Sequence, residues 1–321
     1  MIRIGCIVQG DLRVPVEPIL LELRKYCDVL ILSTWEDQRN LIPPGSGLSV
    51  LVNAKPAEHG LSNRNLQRLS TAAGLALAEA EGCTHVLKWR TDMLPTCIRR
   101  EDLLQWAGER PVTGLPGRIV MSAFRNLSAD PDWLSSFPDL FAFGEIAAMK
   151  LLWSDEGFDY TRDHNLPPRM VDECQWCPVS PGRVRLGGGE PEEIRDTYNA
   201  HVECYALFKD RLERTTGRTW CHGEVARDAL RLIDHHRLGI CWLKMTGRIP
   251  YRSIMQAALL PWWTEAAWER GRAPRLYLRS APVSRFRKTW WQWVSFARLC
   301  HEVALQVTWH RAYQKRTGYF A

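Results

Sequence analysis

No stretch of this chain approaches the roughly 18 consecutive apolar residues that a membrane-spanning helix needs, so the protein is expected to be soluble or peripheral. No G-x-G-x-x-G follows the first apolar run and no G-x-x-x-x-G-K-[ST] occurs anywhere. That argues against a dinucleotide enzyme and a P-loop phosphotransferase. The triplet Gly187-Gly188-Gly189 follows no strand pattern and opens no helix, and reads as a loop. The one tight cysteine pair, Cys174-Gln175-Trp176-Cys177, has no second pair or spaced histidines to complete a zinc site, so ordinary thiols are expected. Charge is also scarce in net terms, +6 over 321 residues. This is too weak to argue for nucleic acid, yet compatible with an anionic membrane surface or phosphorylated substrates. The sequence carries no secretory signal pattern, and its ten cysteines lack the density of a disulfide scaffold, so reduced thiols and a cytoplasmic location are expected.

What is present is apolar residues, 45% of the chain, enough for a large core in one main domain with an appendage. Ile2 to Val8 is a β-branched run that stops at Gln9-Gly10-Asp11, a buried first strand and a turn. A helix from about Val16 to Tyr26 leads to a second strand, Asp28 to Leu32, ending at Ser33-Thr34-Trp35. Strand, helix and strand joined by short links make a right-handed parallel unit. Ser49 to Asn53 reads as a third strand. Small and hydroxyl residues at Gln9-Gly10 and Ser33-Thr34 leave room for a nucleotide. Trp35 is either a platform for a base or sugar or a packed aromatic.

The chain is organised around Leu61 to Pro95. A helix beginning near Ser62 carries Asn63, Gln67, Ser70 and Gly74 on one small, polar face. Beside it runs an apolar stripe, Leu66, Leu69, Ala73, Leu77 and Ala80, expected to pack on the sheet. A strand, His85 to Trp89, follows and ends on Arg90-Thr91-Asp92. In open α/β sheets ligands collect at the carboxyl ends of strands. Alternation puts Lys88, Arg90 and Asp92 on one face, which favours a shared site over a bare surface pair. Further on, a helix at Arg100 to Ala107, a strand at Arg118 to Ser122, a short strand over Pro138 to Gly144 and a helix from Glu145 to Trp153 are expected. Residues Asp155 to Glu193, rich in Pro, Gly and charge, read as a lid or acceptor-binding excursion.

The order Gln9-Gly10, Ser33-Thr34-Trp35, Asn63-x-Asn65-x-Gln67 with Ser70-Thr71, Lys88-x-Arg90-Thr91-Asp92, then Asp139 and Phe143-Gly144, resembles the WavE family of lipopolysaccharide-synthesis proteins. The likeness covers about the first two thirds of the chain. It implies an α/β fold of the GT-A type: a Rossmann-type, mostly parallel sheet flanked by helices, with nucleotide-sugar and acceptor halves merged over residues 1–247. Residues 248–321, beyond the likeness, read from their composition as a basic, tryptophan-rich helical extension. The implied activity is that of a glycosyltransferase, a hexosyl- or related transferase moving a sugar from a nucleotide-activated donor to a lipopolysaccharide or other surface-glycan acceptor. Gln9, Gly10, Ser33, Thr34, Trp35, Asn63, Gln67, Lys88, Arg90, Thr91 and Asp92 would hold the donor.

GT-A enzymes commonly hold the donor diphosphate through a divalent cation on a D-x-D motif. Here Arg90 stands where the first Asp is expected. Two options follow: Asp92, with water and phosphate oxygens, holds Mg²⁺ or Mn²⁺, or Arg90 and Lys88 neutralise the phosphates without metal. Asp139 and Glu203 are the candidate catalytic carboxylates for taking the acceptor proton, against the plainer roles of turn cap and helix-surface charge.

From Arg248 onward Trp262, Trp263, Trp268, Trp290, Trp291, Trp293 and Trp309 gather with Arg285, Arg287, Lys288, Arg298, Arg311, Lys315 and Arg316. Cations with interfacial aromatics suit an anionic membrane surface, where a lipid-linked glycan acceptor would be met on the inner face of the membrane. Helical core packing competes with that reading, and nucleic acid is not expected as a partner because no nucleic-acid motif accompanies the charge. The competing function is a non-catalytic glycan- or lipid-binding assembly protein on the same scaffold.

Overall fold

The computed structural model describes residues 1–45, 47–59, 63–109, 111–112, 114–122, 124–125, 141–158, 160, 207–220, 224–233, 235–243 and 262–263, and near the C-terminus residues 297, 301, 304, 307–309 and 311–318. Asp139, Glu203, Cys174, Cys177 and Gly187–Gly189 lie outside the described residues, as does nearly all of the excursion from Asp155 to Glu193.

The chain starts with β1 (Ile4–Gln9), α1 (Glu17–Leu23), β2 (Val29–Trp35), a 3-10 turn (Glu36–Leu41) and β3 (Leu48–Asn53). It continues through α2 (Arg64–Ala80), β4 (His85–Arg90), β5 (Met93–Pro95), α3 (Arg100–Ala107), β6 (Ile119–Ser122), β7 (Phe124–Arg125), β8 (Ala142–Glu145) and α4 (Ile146–Trp153). A helix of residues 207–216 follows, then β9 (Leu230–Ile233), β10 (Ile240–Trp242) and β11 (Trp262–Trp263). Seven strands form one sheet in the order β3-β2-β1-β4-β8-β6-β9. β8 runs antiparallel to both its neighbours, β4 and β6, and the remaining ladders are parallel. The molecule is thus an α/β protein with a mostly parallel sheet flanked by helices, compatible with a Rossmann-like fold.

Every residue of β1 is buried, as expected of a central parallel strand with helices on both faces. Ile4, Cys6 and Val8 point into the core shared with Ile19, Leu20 and Leu23 of α1 and Leu103 and Trp106 of α3. Ile7 points the other way, with Leu75 and Ala78 of α2 and Ile146, Met149 and Leu152 of α4. The period-two alternation of one strand therefore feeds two separate cores. A seven-residue helix such as α1 would be marginal alone, and its three core-facing side chains hold it to the sheet.

The packing face of α2 differs from the expected one. Of the apolar stripe only Leu66 is buried; Leu69, Ala73 and Leu77 are half-buried and Ala80 is exposed. The small, polar side is the one turned to the sheet, with Ser70, Thr71, Gly74, Leu75 and Ala78 enclosed. A Cβ on Gly74 would sit 2.5 Å from Ile7 Cγ2, so a bare Cα is what lets helix and strand approach. Ser70 uses the same closeness to donate to Gln9 Oε1 at 2.9 Å. Close approach, not hydrophobic width, selects this face.

Five strands carry too weak a pattern to be expected from the sequence: β5, β7, β9, β10 and β11. β5 and β10 pair antiparallel, Met93 opposite Trp242, folding the chain back over the end of β4. The helix of residues 311–317 buries Tyr313, whose hydroxyl donates to the Pro15 carbonyl at 2.8 Å, and half-buried Trp309 joins the α1 core. No helix among the described residues is long and apolar enough to cross a membrane.

Gly74→Ala tests the close approach. In an open helix that change stabilises by about 1 kcal/mol; here the overpacked Cβ reverses the sign, with an expected net loss of about 1–3 kcal/mol, read from urea unfolding midpoints.

Candidate functional site

The sheet order reverses between β1 and β4: the chain steps outward to β2 and β3, then returns past β1. In open α/β sheets the crevice at such a switch point, outside the carboxyl ends of the strands, is where ligands bind. The register sets Gln9 beside Ser33 of β2 on one side and Arg90 of β4 on the other. The fold therefore brings Gln9, Gly10, Ser33, Thr34, Arg90, Thr91 and Asp92 to one rim. Asn63 and Gln67 stand at the start of α2, which begins on the same rim because the helix returns antiparallel to the strands. Asn63 is exposed and left-handed, with φ of 60°, a conformation asparagine accepts more readily than most residues.

Most of these side chains are turned inward. Gln9, Ser33, Thr34 and Trp35 are all buried, and the Trp35 indole, 1% exposed, takes the packed position of the two open to it. Lys88 is fully enclosed, its Nζ 4.6 Å from the centroid of the Trp153 ring on α4, where the ring face attracts a cation. It points to the helix layer, not along the rim.

Internal hydrogen bonds hold the strand ends together. Thr91 N–H donates to the Gln9 carbonyl at 3.1 Å and its hydroxyl to the Asp11 carbonyl at 2.7 Å. Gly10 has φ of 127°, and a Cβ there would meet Thr91 Oγ1 at 3.0 Å, so its missing side chain admits a neighbouring strand end. Thr34 Oγ1 lies 3.1 Å from both the Gly10 carbonyl and Gln38 Oε1. Gln38 in turn accepts from Leu12 N–H at 2.8 Å. Asn53 donates to Ser33 Oγ and to the Thr34 carbonyl, each at 2.9 Å. Lys55 bridges Asp37 at 2.6 Å and Asp11 at 3.9 Å. Asp11, Gln38, Asn53 and Lys55 were not singled out from the sequence. Their signal is positional: each stands at a strand end or within a few residues after one.

At the end of β4 the chain turns through Thr91 and Asp92 into β5. Arg90 grips Asp92 in a two-point pair, Nε to Oδ1 at 2.8 Å and a terminal nitrogen to Oδ2 at 2.9 Å. The side chains are 15% and 8% exposed. Leu243 N–H donates to the Asp92 carbonyl at 2.9 Å and Trp89 Nε1 to the Met93 carbonyl at 2.7 Å, so the backbone under the pair is held from two sides. Such a fixed guanidinium is a preorganised cation.

No family model and no curated protein matches this chain.

The carboxylate's chemistry follows from its partner. With both oxygens of Asp92 bonded to Arg90, a divalent ion taking that carboxylate must either displace a two-point charge-assisted pair or bind its remaining lone pairs beside a repelling guanidinium. Among the described residues no group of three His, Cys, Asp or Glu side chains converges as a metal site. The Arg90–Asp92 pair is charge-balanced, so Asp92 as arranged is committed to Arg90 rather than to Mg²⁺ or Mn²⁺, and Arg90 would meet an anion through its fixed orientation rather than through surplus charge.

Asp92→Ala leaves the Arg90 guanidinium without its carboxylate in a largely enclosed site, at an expected cost of about 3 kcal/mol. Replacing both by leucine removes the charge together with its counter-charge, and the double variant is expected to recover more than half of that loss in urea unfolding; strictly additive losses would show that the two side chains do not act as a pair.

Proposed function

We propose that this chain is a glycosyltransferase of the WavE, GT-A-like kind, moving a sugar from a nucleotide-activated donor to a lipopolysaccharide or related surface-glycan acceptor. The observation that carries the reading is the Arg90–Asp92 pair, set at the carboxyl end of β4 beside Gln9 at the point where strand order reverses. In this reading Asp92 is a positioning residue that orients Arg90, and Arg90 meets the donor phosphates. The acceptor hydroxyl attacks the anomeric carbon and a carboxylate takes its proton. The bond to the phosphate oxygen breaks, and the leaving nucleotide departs with the electron pair, its charge offset by Arg90. Asp139 and Glu203 are the carboxylates we propose for the proton.

The acceptor is proposed to be carried on lipid at an anionic membrane surface. Exposed Arg311, Lys315 and Arg316 on the helix of residues 311–317 support this, because Tyr313 of the same helix is turned to the core and leaves the cations outward. The location proposed is cytoplasmic, peripheral on the inner face of the membrane.

One observation favours the non-catalytic alternative: the polar side chains of Gln9, Ser33 and Thr34 are already spent on internal hydrogen bonds. Nucleotide diphosphates, nucleotide monophosphates and their sugars, screened by thermal shift and then for donor hydrolysis, separate the two. Transfer predicts that one nucleotide raises the midpoint and that turnover persists in EDTA. Arg90→Lys, which keeps the charge and loses the fork, is expected to lower kcat/KM roughly tenfold or more. Glycan binding with no turnover of any donor would support the assembly protein instead, and activity lost in EDTA would return the diphosphate to a metal.

A further inference from the structure

On the sheet face covered by α2 and α4, three cations are sealed from solvent: Lys88, Arg68 and Arg211, exposed 0%, 1% and 7%. Two of them sit under the end of α4. Arg68 Nη1 donates to the carbonyls of Leu152 at 3.1 Å and Ser154 at 2.7 Å. Arg211 donates to those of Leu151 at 3.2 Å and Glu156 at 2.5 Å. Carbonyls at a helix C-terminus lack intrahelical partners and carry partial negative charge, so cations are favourable there. Burial, with Arg68 close by, also lowers the pKa of Arg211.

Helix capping accounts for one nitrogen of Arg68. Its Nε and Nη2 are buried with no hydrogen-bond partner among the described residues. They form the edge by which Arg90 grips Asp92. Arg68 is thus a guanidinium with the same two-point edge presented and no carboxylate on it. Unmet donors of this kind cost free energy when buried.

The surroundings are mixed: two rings and two further unpaired polar groups lie beside Arg68, and Asp155 acts electrostatically on Tyr160 and, with Glu156, on Arg211. Arg68 Cζ lies 4.7 Å from the centroid of the Phe158 ring, and Phe158 stands edge-on to Tyr160 with centroids 4.9 Å apart. The Tyr160 hydroxyl is buried and unpartnered. Burial pushes its pKa up to about 12, so it remains a neutral donor. Thr71 Oγ1, three residues along α2 from Arg68, is likewise unpartnered. Asn65 Nδ2 donates to the carbonyls of Glu58 at 2.8 Å and Tyr160 at 3.1 Å, which ties the chain at Tyr160 to the first turn of α2.

We propose that Arg68, with the Tyr160 hydroxyl, forms an enclosed oxyanion site whose ligand offers two oxygens of one carboxylate or phosphate group to the Nε–Nη2 edge. This site lies under the end of α4, and the proposal does not depend on the sugar-transfer reading. Two oxygens on one central atom match the planar fork, and an anion there meets the two donors that Arg68 leaves unpaired.

Titration of the full chain with inorganic phosphate and with lactate, at constant ionic strength and after long equilibration, tests it by thermal shift and calorimetry. A saturable rise in midpoint is expected with one of the two, and which one responds assigns the group. Arg68→Lys is expected to weaken that binding about tenfold and Tyr160→Phe about fivefold. Tyr160→Phe removes only an unpartnered hydroxyl, so without anion it is expected to unfold at or above the wild-type temperature, which keeps the test open if Arg68→Lys does not fold. The proposal is overturned if neither anion gives a saturable response, if both variants respond as wild type does, or if Tyr160→Phe alone lowers the anion-free midpoint.

Discussion

Helix α2 lies so close to the central strand that serine and glycine, not leucine, meet the sheet, and the rim of the molecule depends on that contact. Gly74 over Ile7 sets the distance. Ser70 then reaches Gln9, and Ser33 donates to the Ser70 carbonyl at 2.8 Å. With the helix seated there, the ends of β1, β2 and β4 are drawn into one hydrogen-bonded cluster. Buried polar groups are costly unless paired, so the cluster forms as a unit. The rigidity of the Arg90–Asp92 turn is a consequence of it, because Thr91 is fastened to both Gln9 and Asp11.

The electrostatics follow the same layering. On the α2–α4 side, enclosed cations meet an indole face, at Lys88, and the carbonyl end of α4, at Arg68 and Arg211. At the rim the arrangement inverts, and Arg90 is matched by a carboxylate on both of its facing nitrogens. A cation held by carbonyls or a ring keeps most of its charge available to an anion, whereas one forked to a carboxylate has its orientation set first. The two guanidiniums, Arg68 and Arg90, thus present the same edge in opposite states of satisfaction.

Much of the framework was legible from residue order. The β-branched run before Gln9-Gly10, the strand leading to Ser33-Thr34-Trp35 and the segment ending at Arg90 all appear within three residues of their expected ends, and the helix at Arg100–Ala107 has its expected bounds. Buried strands and their flanking helices announce themselves through local apolar content, which needs no knowledge of neighbours. The face of α2 was misread because hydrophobicity alone ranks leucine above glycine, and the preference for glycine arises only when Ile7 lies opposite. β5 and β10 were invisible for a related reason: three-residue strands carry no period, and they exist because each supplies the other's hydrogen bonds.

The candidate site divides along the same line. Which polar residues close the strands, and that Arg90 stands two residues before Asp92, is written in the chain, since strand ends and spacing are local properties. Whether those side chains face solvent or one another was decided by tertiary structure. The parallel register put Gln9 between Ser33 and Arg90, and the tight seat of α2 then gave several of them protein partners. Burial and pairing depend on what arrives from distant parts of the chain, and no local pattern encodes that arrival.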